Sequence, residues 1–152
     1  MKSYLMDELH IPAFAMTTGS KGLHVVTPLN RRSNFEQVKL FTRKVAEIIA
    51  SEYPDEFTTE IRINKREGRL FIDYLRNAYA QTGVAPYSVR ARENAPVATP
   101  LFWKELEDKK LHSQLYNIKN IFDRLVDIEN PWKDFKSSAI GLSDAKGKLK
   151  LK

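Results

Sequence analysis

The chain has 152 residues and carries 25 lysines and arginines against 19 aspartates and glutamates, which gives a formal net charge of +6. This length fits one domain, or one piece of a larger domain. Hydrophobic residues make up 42% and aromatic residues 11% of the chain, which excludes wholesale disorder. The absence of cysteine excludes a disulfide scaffold, a thiolate metal site and a cysteine nucleophile.

Charge and composition also restrict the partners and the location. The pI of ≈ 9.5 favours an anionic partner, without distinguishing nucleic acid from a nucleotide or an acidic protein. No apolar run approaches the ~18 residues of a membrane span, so no membrane partner is expected. The first residues lack the apolar core and the cleavage site of a signal peptide. We therefore expect a cytoplasmic location.

A short helix and two strands are predicted first. Leucines spaced i, i+4 within residues 2–9 indicate the last two turns of an amphipathic helix, which is marginal alone and resembles the tail of a longer element. After Pro12, residues 13–18 and 23–29 predict strands, and the glycines of the segment 19–22 predict a turn between them. Together these segments predict a β-hairpin or a tight strand–loop–strand unit.

A long helix with clear start and stop signals is predicted next. Ser33 and Glu36 have the S-x-x-E spacing of a capping box. The Tyr-Pro-Asp sequence at 53–55 ends the helix. The apolar residues between these limits keep a helical stripe, namely Phe35, Val38, Phe41, Val45, Ile48 and Ile49.

The second half of the chain mixes strands and helices. Residues 69–74 and 84–92 predict extended segments, and the proline in the second one favours a strand start or an edge. Thr99 and Pro100 predict a helix start, as an N-cap followed by proline at the first helical position, with the helix continuing through Leu106. A further helix around 117–128 has one apolar face, formed by Ile118, Ile121, Phe122, Leu125 and Val126.

The lysine-rich end of the chain, residues 146–152, predicts a mobile, disordered basic tail. No internal repeat and no long Pro, Gly or Ser linker divides the rest, so residues 1–145 are expected to form one unit. The predicted elements together give a mixed α+β class.

The positive charge is concentrated in residues 61–92, which hold seven basic side chains against two acidic ones. Six of the seven are arginines, the residue suited to bidentate phosphate binding, although a solvated arginine-rich surface is about equally expected for an arbitrary basic segment. Asp73 lies in the apolar run 70–74, where an ionised carboxylate is costly unless it is paired or bound to a cation. It is therefore predicted to be either a structural salt-bridge partner or a metal ligand beside a phosphate site.

The turn between the first two strands is a second candidate for anion binding. Its glycines allow a ligand to approach the backbone N–H groups, and Ser20, Lys21 and His24 can all bind an anion. The segment does not fit the phosphate-loop pattern, which needs four residues between the glycines and a following Lys-Ser/Thr. A short Gly-Ser turn alone is more often only a turn, and a single strand histidine is usually structural.

Three blocks together carry a family resemblance: TTGSKGLHVVTPL at 17–29, FTTEIRINKREGRLFIDYLRN at 57–77 and VAPYSVRARENAPVATPLFWKEL at 84–106. They resemble the polymerase domain of bacterial ATP-dependent DNA ligase D, a member of the archaeo-eukaryotic primase superfamily that works in non-homologous end joining. The similarity runs from about Leu5 to Phe135, in the family's order. It implies the C-terminal portion of a primase-polymerase fold, with a mixed sheet flanked by helices.

The resemblance implies roles for individual residues. Asp73 corresponds to the third catalytic aspartate, a metal ligand. Arg66 aligns with a basic position before the strand that carries this aspartate, and Arg76 with a polar position after it. The nucleotide-binding residues that the resemblance implies are Ser20, Lys21, His24, Arg66, Arg76, Arg90 and Arg92, and the last two also lie near the template-facing surface.

The chain departs from the family at its front. The family's domain is about twice as long, and its first half holds the Asp-x-Asp pair that binds two divalent metals, Mn²⁺ or Mg²⁺, together with the third aspartate. The candidates for a substitute, Asp127-x-Glu129 and Glu105-x-Glu107, lie in helical patterns where i and i+2 point apart. Asp73 is therefore expected to stand alone, to bind metal weakly and to support little or no polymerase activity in the isolated chain.

Three functional hypotheses follow. The chain is the C-terminal half of an end-joining polymerase that becomes active with an N-terminal half, or a non-catalytic nucleotide- and DNA-binding remnant, or a basic module that binds an acidic protein. The partners implied by the first hypothesis are DNA ends, an NTP or dNTP, and an N-terminal polymerase half or a ligase domain.

Overall fold

The computed structural model of the chain describes residues 1–151 and has a mixed α+β fold. The strands are β1 (Phe14–Thr17), β2 (Leu23–Val26), β3 (Phe57–Thr58), β4 (Leu70–Phe71) and β5 (Pro100–Leu101). The α-helices are α1 (Phe35–Glu52), α2 (Ile121–Asp127) and α3 (Ser143–Lys148). A π-helical turn at Tyr4–Glu8 and 3₁₀ turns at Ile63–Lys65 and Trp103–Glu107 complete the elements.

The main sheet has three strands in the order β2-β1-β5, with both pairings antiparallel. In the β1–β2 pair, Phe14 lies opposite Val26 and Thr17 opposite Leu23, which confirms the predicted hairpin. Strands β3 and β4 form a separate parallel pair. Because β4 covers only two residues, the predicted strand at 69–74 is longer than the one observed.

The predicted capping box at Ser33 and Glu36 is wrong by one residue. The cap is Asn34, whose side chain accepts a hydrogen bond from the Gln37 N–H at 2.9 Å, while the Gln37 side chain accepts from the Asn34 N–H at 3.1 Å. Asparagine caps as well as serine does, so two overlapping boxes were open to this sequence. The predicted end is confirmed, since the Tyr53 N–H makes the last helical bond, to Ile49.

The hydrophobic core lies between α1 and the two ends of the chain. The buried side chains that form it are Leu5, Leu9, Ile11, Ala13, Phe41, Val45, Ile49, Leu142, Ala145 and Leu149. The helical character expected for residues 2–9 is observed as the π-helical turn at Tyr4–Glu8. The predicted leucine spacing is also observed, since Leu5 and Leu9 are both buried in this core.

The prediction of a disordered tail at 146–152 is wrong for the residues up to 151. Helix α3 continues through Lys148, and Leu149 is buried in the same core cluster as the apolar residues of α1. Leu142, Ala145 and Leu149 follow a helical spacing that places them on one face, which the surrounding lysines obscured. The Lys148 ammonium donates to the Glu8 carbonyl at 2.6 Å and links the two ends of the chain. Lys152 lies outside the described residues.

Two further predicted elements differ from those observed. The helix expected from Thr99 through Leu106 is instead strand β5 followed by a 3₁₀ turn. Thr99 pairs with Thr17, whose N–H donates to the Thr99 carbonyl at 2.9 Å, so sheet pairing overrides the local helix-start signal. In the segment predicted to be extended, 84–92, the only strand-like pairing within residues 1–151 is a single bridge from Val89 to Val97.

Helix α2 confirms the position predicted for it but not the expected apolar face. Its inward-facing residues are Ile121 and Arg124. Exposed large apolar side chains on or beside the helix are Ile118, Phe122, Leu125 and Val126. None of the helices within residues 1–151 is long and apolar enough to cross a membrane.

Candidate functional site

The turn that joins β1 to β2 is organised by the hydroxyl of Thr18. This hydroxyl accepts from the N–H groups of Ser20 at 3.2 Å and Gly22 at 3.3 Å, and it donates to the Gly22 carbonyl at 2.9 Å. Thr18 did not emerge from the sequence as a site residue. The signal was present, since threonine directly before a glycine turn often bonds to the backbone two residues on.

Gly19 has a conformation and a packing environment that require glycine. Its φ is +61°, in the left-handed region, and a Cβ at this position would lie 2.7 Å from Cγ of Arg90 and 3.3 Å from the backbone of Val97 and Ala98. The turn is therefore packed directly against the segment that carries Arg90.

The Ser20 carbonyl is held from the far side by a distant loop. It accepts hydrogen bonds from Oγ of Ser113 at 2.6 Å and from Nε2 of Gln114 at 2.8 Å. Sequence analysis missed both residues, because they follow Ser20 by more than 90 positions and belong to no recognisable motif.

His24 lies on β2, opposite Met16 of β1, and its side chain is half-buried. Burial lowers the pKa of the imidazole, Asp73 opposes this by raising the pKa, and Arg90 lowers it. The lowered pKa favours the neutral ring, in which one nitrogen donates and the other accepts. Since Asp73 and Arg90 both act on this ring, the structure brings together three residues from three separate sequence blocks.

The environment predicted for Asp73 is wrong. Strand β4 ends at Phe71, and the Asp73 side chain is 45% exposed, so its charge is solvated rather than buried. Its Oδ1 accepts from the Leu75 N–H at 3.0 Å, and its Oδ2 lies 3.9 Å from Nε of Arg76. The ion pair with Arg76 is a loose surface contact, which contributes little to stability.

Two of the arginines in the basic segment are tied to nearby backbone. Arg66 donates to the carbonyls of Glu60 at 3.0 Å and Ile61 at 2.8 Å, and its guanidinium stacks over Phe71 at 4.2 Å. Arg69 donates to the Arg66 carbonyl at 2.9 Å. These bonds order the chain between β3 and β4, a structural task that sequence reasoning did not assign to Arg66.

Lys21, Arg90 and Arg92 carry the charges that remain available at the site. Within residues 1–151 none of the three has an ion-pair partner or a side-chain hydrogen bond. Arg90 and Arg92 line an open groove of ≈ 540 Å³ with Val89 and Ala91. Unpaired guanidinium groups along a groove are suited to phosphate oxygens.

The residues present do not fit a divalent metal ion. In the part of the chain that the structure describes, no group of three or more acidic or histidine side chains could hold one. Asp73 acts on the pKa of His24 and lies 3.9 Å from Arg76, whereas Glu105 is committed to an ion pair with Arg124. Magnesium and manganese need several oxygen ligands in fixed geometry, so this donor set is insufficient.

The fold is a mixed α+β domain, and its candidate site combines a glycine turn, a half-buried histidine and cationic side chains of a kind suited to phosphate groups. A family model described as the LigD primase-polymerase domain matches residues 2–132. The chain belongs to this family, the polymerase domain of end-joining DNA repair proteins, which confirms the resemblance.

Characterised relatives give the same assignment. The chain is 37% identical over 143 residues to the multifunctional non-homologous end joining protein LigD of Pseudomonas aeruginosa, covering 93% of this chain and 17% of that protein. It is 34% identical over 132 residues to the bifunctional LigD of Bacillus subtilis, covering 86% of this chain and 21% of that protein. The chain thus spans about a fifth or less of these relatives.

A solved structure confirms the fold. The polymerase domain of Mycobacterium tuberculosis ligase D, in complex with DNA, superposes with a TM-score of 0.80 at 29% identity. The match covers 89% of this chain and 46% of that one. The fold is therefore that of a LigD polymerase domain, of which this chain spans about half.

Proposed function

We propose that this chain, as the C-terminal half of a primase-type polymerase domain, binds the triphosphate of an incoming nucleotide and the DNA end to be extended. The observation that carries the proposal is the packing of the glycine turn against Arg90, since a Cβ at Gly19 would lie 2.7 Å from Cγ of Arg90. His24, Asp73 and Arg90 come from different sequence blocks, and the charges of Asp73 and Arg90 act on the pKa of His24 in addition to its burial. Such a constellation is typical of a functional site.

The phosphate-binding part of the proposal rests on the unpaired cations. Lys21, Arg90 and Arg92 would neutralise the triphosphate, with Ser20 offering a hydroxyl and neutral His24 offering a hydrogen bond to a phosphate or sugar oxygen. Arg66 and Arg76 would add positive potential near Asp73 rather than direct contacts, because Arg66 already binds two carbonyls.

The reaction proposed for the completed domain is nucleotidyl transfer, in which a primer 3′-hydroxyl attacks the α-phosphate and pyrophosphate leaves. Divalent cations, Mn²⁺ or Mg²⁺, would activate the hydroxyl and neutralise the leaving group. They would require Asp73 together with carboxylates that residues 1–151 do not place beside it. The chain's own contribution is to position the triphosphate and stabilise its charge.

A titration with a fluorescent nucleoside triphosphate tests nucleotide binding. We expect Lys21→Ala and Arg92→Ala each to weaken binding by about tenfold, the effect of one charge-assisted hydrogen bond. Lys39→Ala and Arg43→Ala are matched controls, since they remove the same charges from exposed positions on α1. Equal effects at the site and on α1 would contradict the proposed site.

A non-catalytic remnant is the second candidate, favoured by the isolated carboxylate of Asp73. Primer extension with Mn²⁺, with and without a separately expressed N-terminal polymerase half, distinguishes the two. Activity that appears only with the second half supports the polymerase, and its absence in the mixture supports the remnant. DNA affinity that is negligible even at low salt would instead favour a basic module for an acidic protein partner.

A further inference from the structure

We propose that the backbone N–H of Lys21 is a phosphate donor, and that Ser113 and Gln114 are positioning residues that aim it. This inference rests on the proposed function of the turn as a triphosphate site. It assigns the binding atom and the residues that orient it.

The first step concerns which amide of the turn is free. The N–H groups of Ser20 and Gly22 both donate to the Thr18 hydroxyl, and the Thr18 N–H donates to the Gly22 carbonyl at 3.1 Å. Within residues 1–151 the Lys21 N–H makes no hydrogen bond. It lies in the middle of the turn and is available to an external acceptor.

The second step concerns the direction of this amide. The Ser20 carbonyl and the Lys21 N–H belong to one peptide unit, which is trans, so the two bonds point in opposite directions. Ser113 and Gln114 draw the carbonyl towards their loop. The Lys21 N–H therefore points to the opposite side of the turn, away from that loop.

The third step concerns how firmly the carbonyl is held. A carbonyl oxygen has two lone pairs, and two side-chain donors at 2.6 and 2.8 Å occupy both. The loop that supplies the donors is attached to the strand segment beside the turn, since the Val97 N–H donates to the Tyr116 carbonyl at 2.8 Å. The backbone of Val97 is also within 3.3 Å of the Cβ position of Gly19.

This arrangement reduces the conformational freedom that phosphate binding would otherwise have to remove. The Ser20–Lys21 peptide unit lies in a turn between two glycines. Without the two hydrogen bonds to its carbonyl, this unit would spend part of its time with the carbonyl oxygen facing the anion. Hydrogen bonds from neutral donors also hold across the physiological pH range. The orientation of the Lys21 N–H is therefore independent of the protonation of His24.

The experiment uses the whole chain, labelled with ¹⁵N, and inorganic tripolyphosphate as the probe. In the wild type we expect the Lys21 amide resonance to shift strongly on titration. The double variant Ser113→Ala/Gln114→Ala is expected to bind tripolyphosphate roughly five- to tenfold more weakly, with a smaller shift of this resonance. Gln114→Glu, which places an acceptor against the Ser20 carbonyl, should reproduce most of the loss.

Two controls separate positioning from a general loss of structure. Ser113→Thr keeps the hydroxyl, so this variant should bind tripolyphosphate as tightly as the wild type does. Ser137→Ala removes an exposed hydroxyl that bonds only to the Asp134 carbonyl, and it should change neither affinity nor the Lys21 resonance.

Three results would overturn the inference. Tight binding without a shift of the Lys21 amide would exclude this N–H as the donor. Unchanged affinity in both the double variant and Gln114→Glu would exclude the positioning role while leaving the proposed function intact. No binding of tripolyphosphate by the wild type would overturn the inference and the proposed function together.

Discussion

Arg124 of α2 and Glu105 form a two-point ion pair, with Nη1 2.6 Å from Oε1 and Nη2 3.0 Å from Oε2. The guanidinium also donates to the Pro100 carbonyl at 2.9 Å and to the Tyr116 hydroxyl at 2.8 Å. The same carboxylate accepts from the Phe102 N–H at 2.7 Å. One buried pair thus joins α2, strand β5 and the 3₁₀ turn after it.

Arg124→Ala is expected to destabilise the chain by about 3 kcal/mol, because it leaves the Glu105 carboxylate, which is only 16% exposed, without its partner. Urea unfolding measures the change in the free energy of unfolding. The matched control is Arg43→Ala, which breaks an exposed pair with Glu47 on α1 and should cost at most about 0.5 kcal/mol. A loss for Arg124→Ala as small as that of the control would contradict a structural role for the pair.

Glu105 should make the stability of the chain sensitive to acid. Burial by itself raises the pKa of this carboxyl, but the hydrogen bonds from Arg124 and the Phe102 N–H outweigh burial, and the net pKa is lowered from 4.5. Because the folded state has the lower pKa, the stabilisation is complete above about pH 4.5 and is lost as the pH falls through the lowered value.

The free energy of unfolding of the wild type and of Glu105→Gln, measured between pH 7 and pH 3, tests whether the stabilisation by Glu105 is lost in acid. The stability advantage of the wild type should shrink on acidification below the unfolded pKa of 4.5. A constant difference across this range would show that the carboxylate is not the source.

The two charged neighbours of His24 should move its pKa in opposite directions. Burial is the main cause of the lowered pKa, and the charges of Asp73 and Arg90 add smaller effects of opposite sign. Asp73→Asn removes a charge that raises the pKa and should lower it further, whereas Arg90→Gln should raise it. Proton NMR of the imidazole measures both values. Lys39→Ala is the control on α1, and shifts of the same sign in the two site variants would contradict the arrangement.

Gly19→Ala should damage both the turn and the placement of Arg90. The left-handed φ of +61° and the 2.7 Å approach to Cγ of Arg90 together predict a loss of about 1–3 kcal/mol. Thermal or urea unfolding measures it, and triphosphate affinity should fall in parallel. Gly83→Ala is the matched control, since no atom lies within 4 Å of its Cβ position. Comparable stability of the two variants would be the contrary result.

Leu149→Ala tests the packing of the C-terminal residues. Removing this buried side chain from the core should reduce the free energy of unfolding by about 2 kcal/mol or more. Val126→Ala truncates an apolar side chain that is 86% exposed, and it should have almost no effect. Equal effects would indicate that the end of the chain is not part of the folded unit.

Local patterns were enough to predict the hairpin, the extent of α1 and the mixed α+β class, because each depends on residues close together in the chain. They failed where two signals competed locally. Asn34 displaced Ser33 as the helix cap, and sheet pairing with Thr17 displaced the helix start at Thr99. Propensity is a weak guide when a tertiary contact favours the alternative.

The sequence alone was enough to predict the family, because three matching blocks occur along the chain in the family's order, and it also nominated the candidate site residues. Only the tertiary structure decided the state of those residues. Asp73 is solvated because β4 stops at Phe71, and the Ser20 carbonyl is bound by side chains more than 90 residues away. Burial and long-range hydrogen bonds depend on where the chain returns to itself, and no local pattern contains that information.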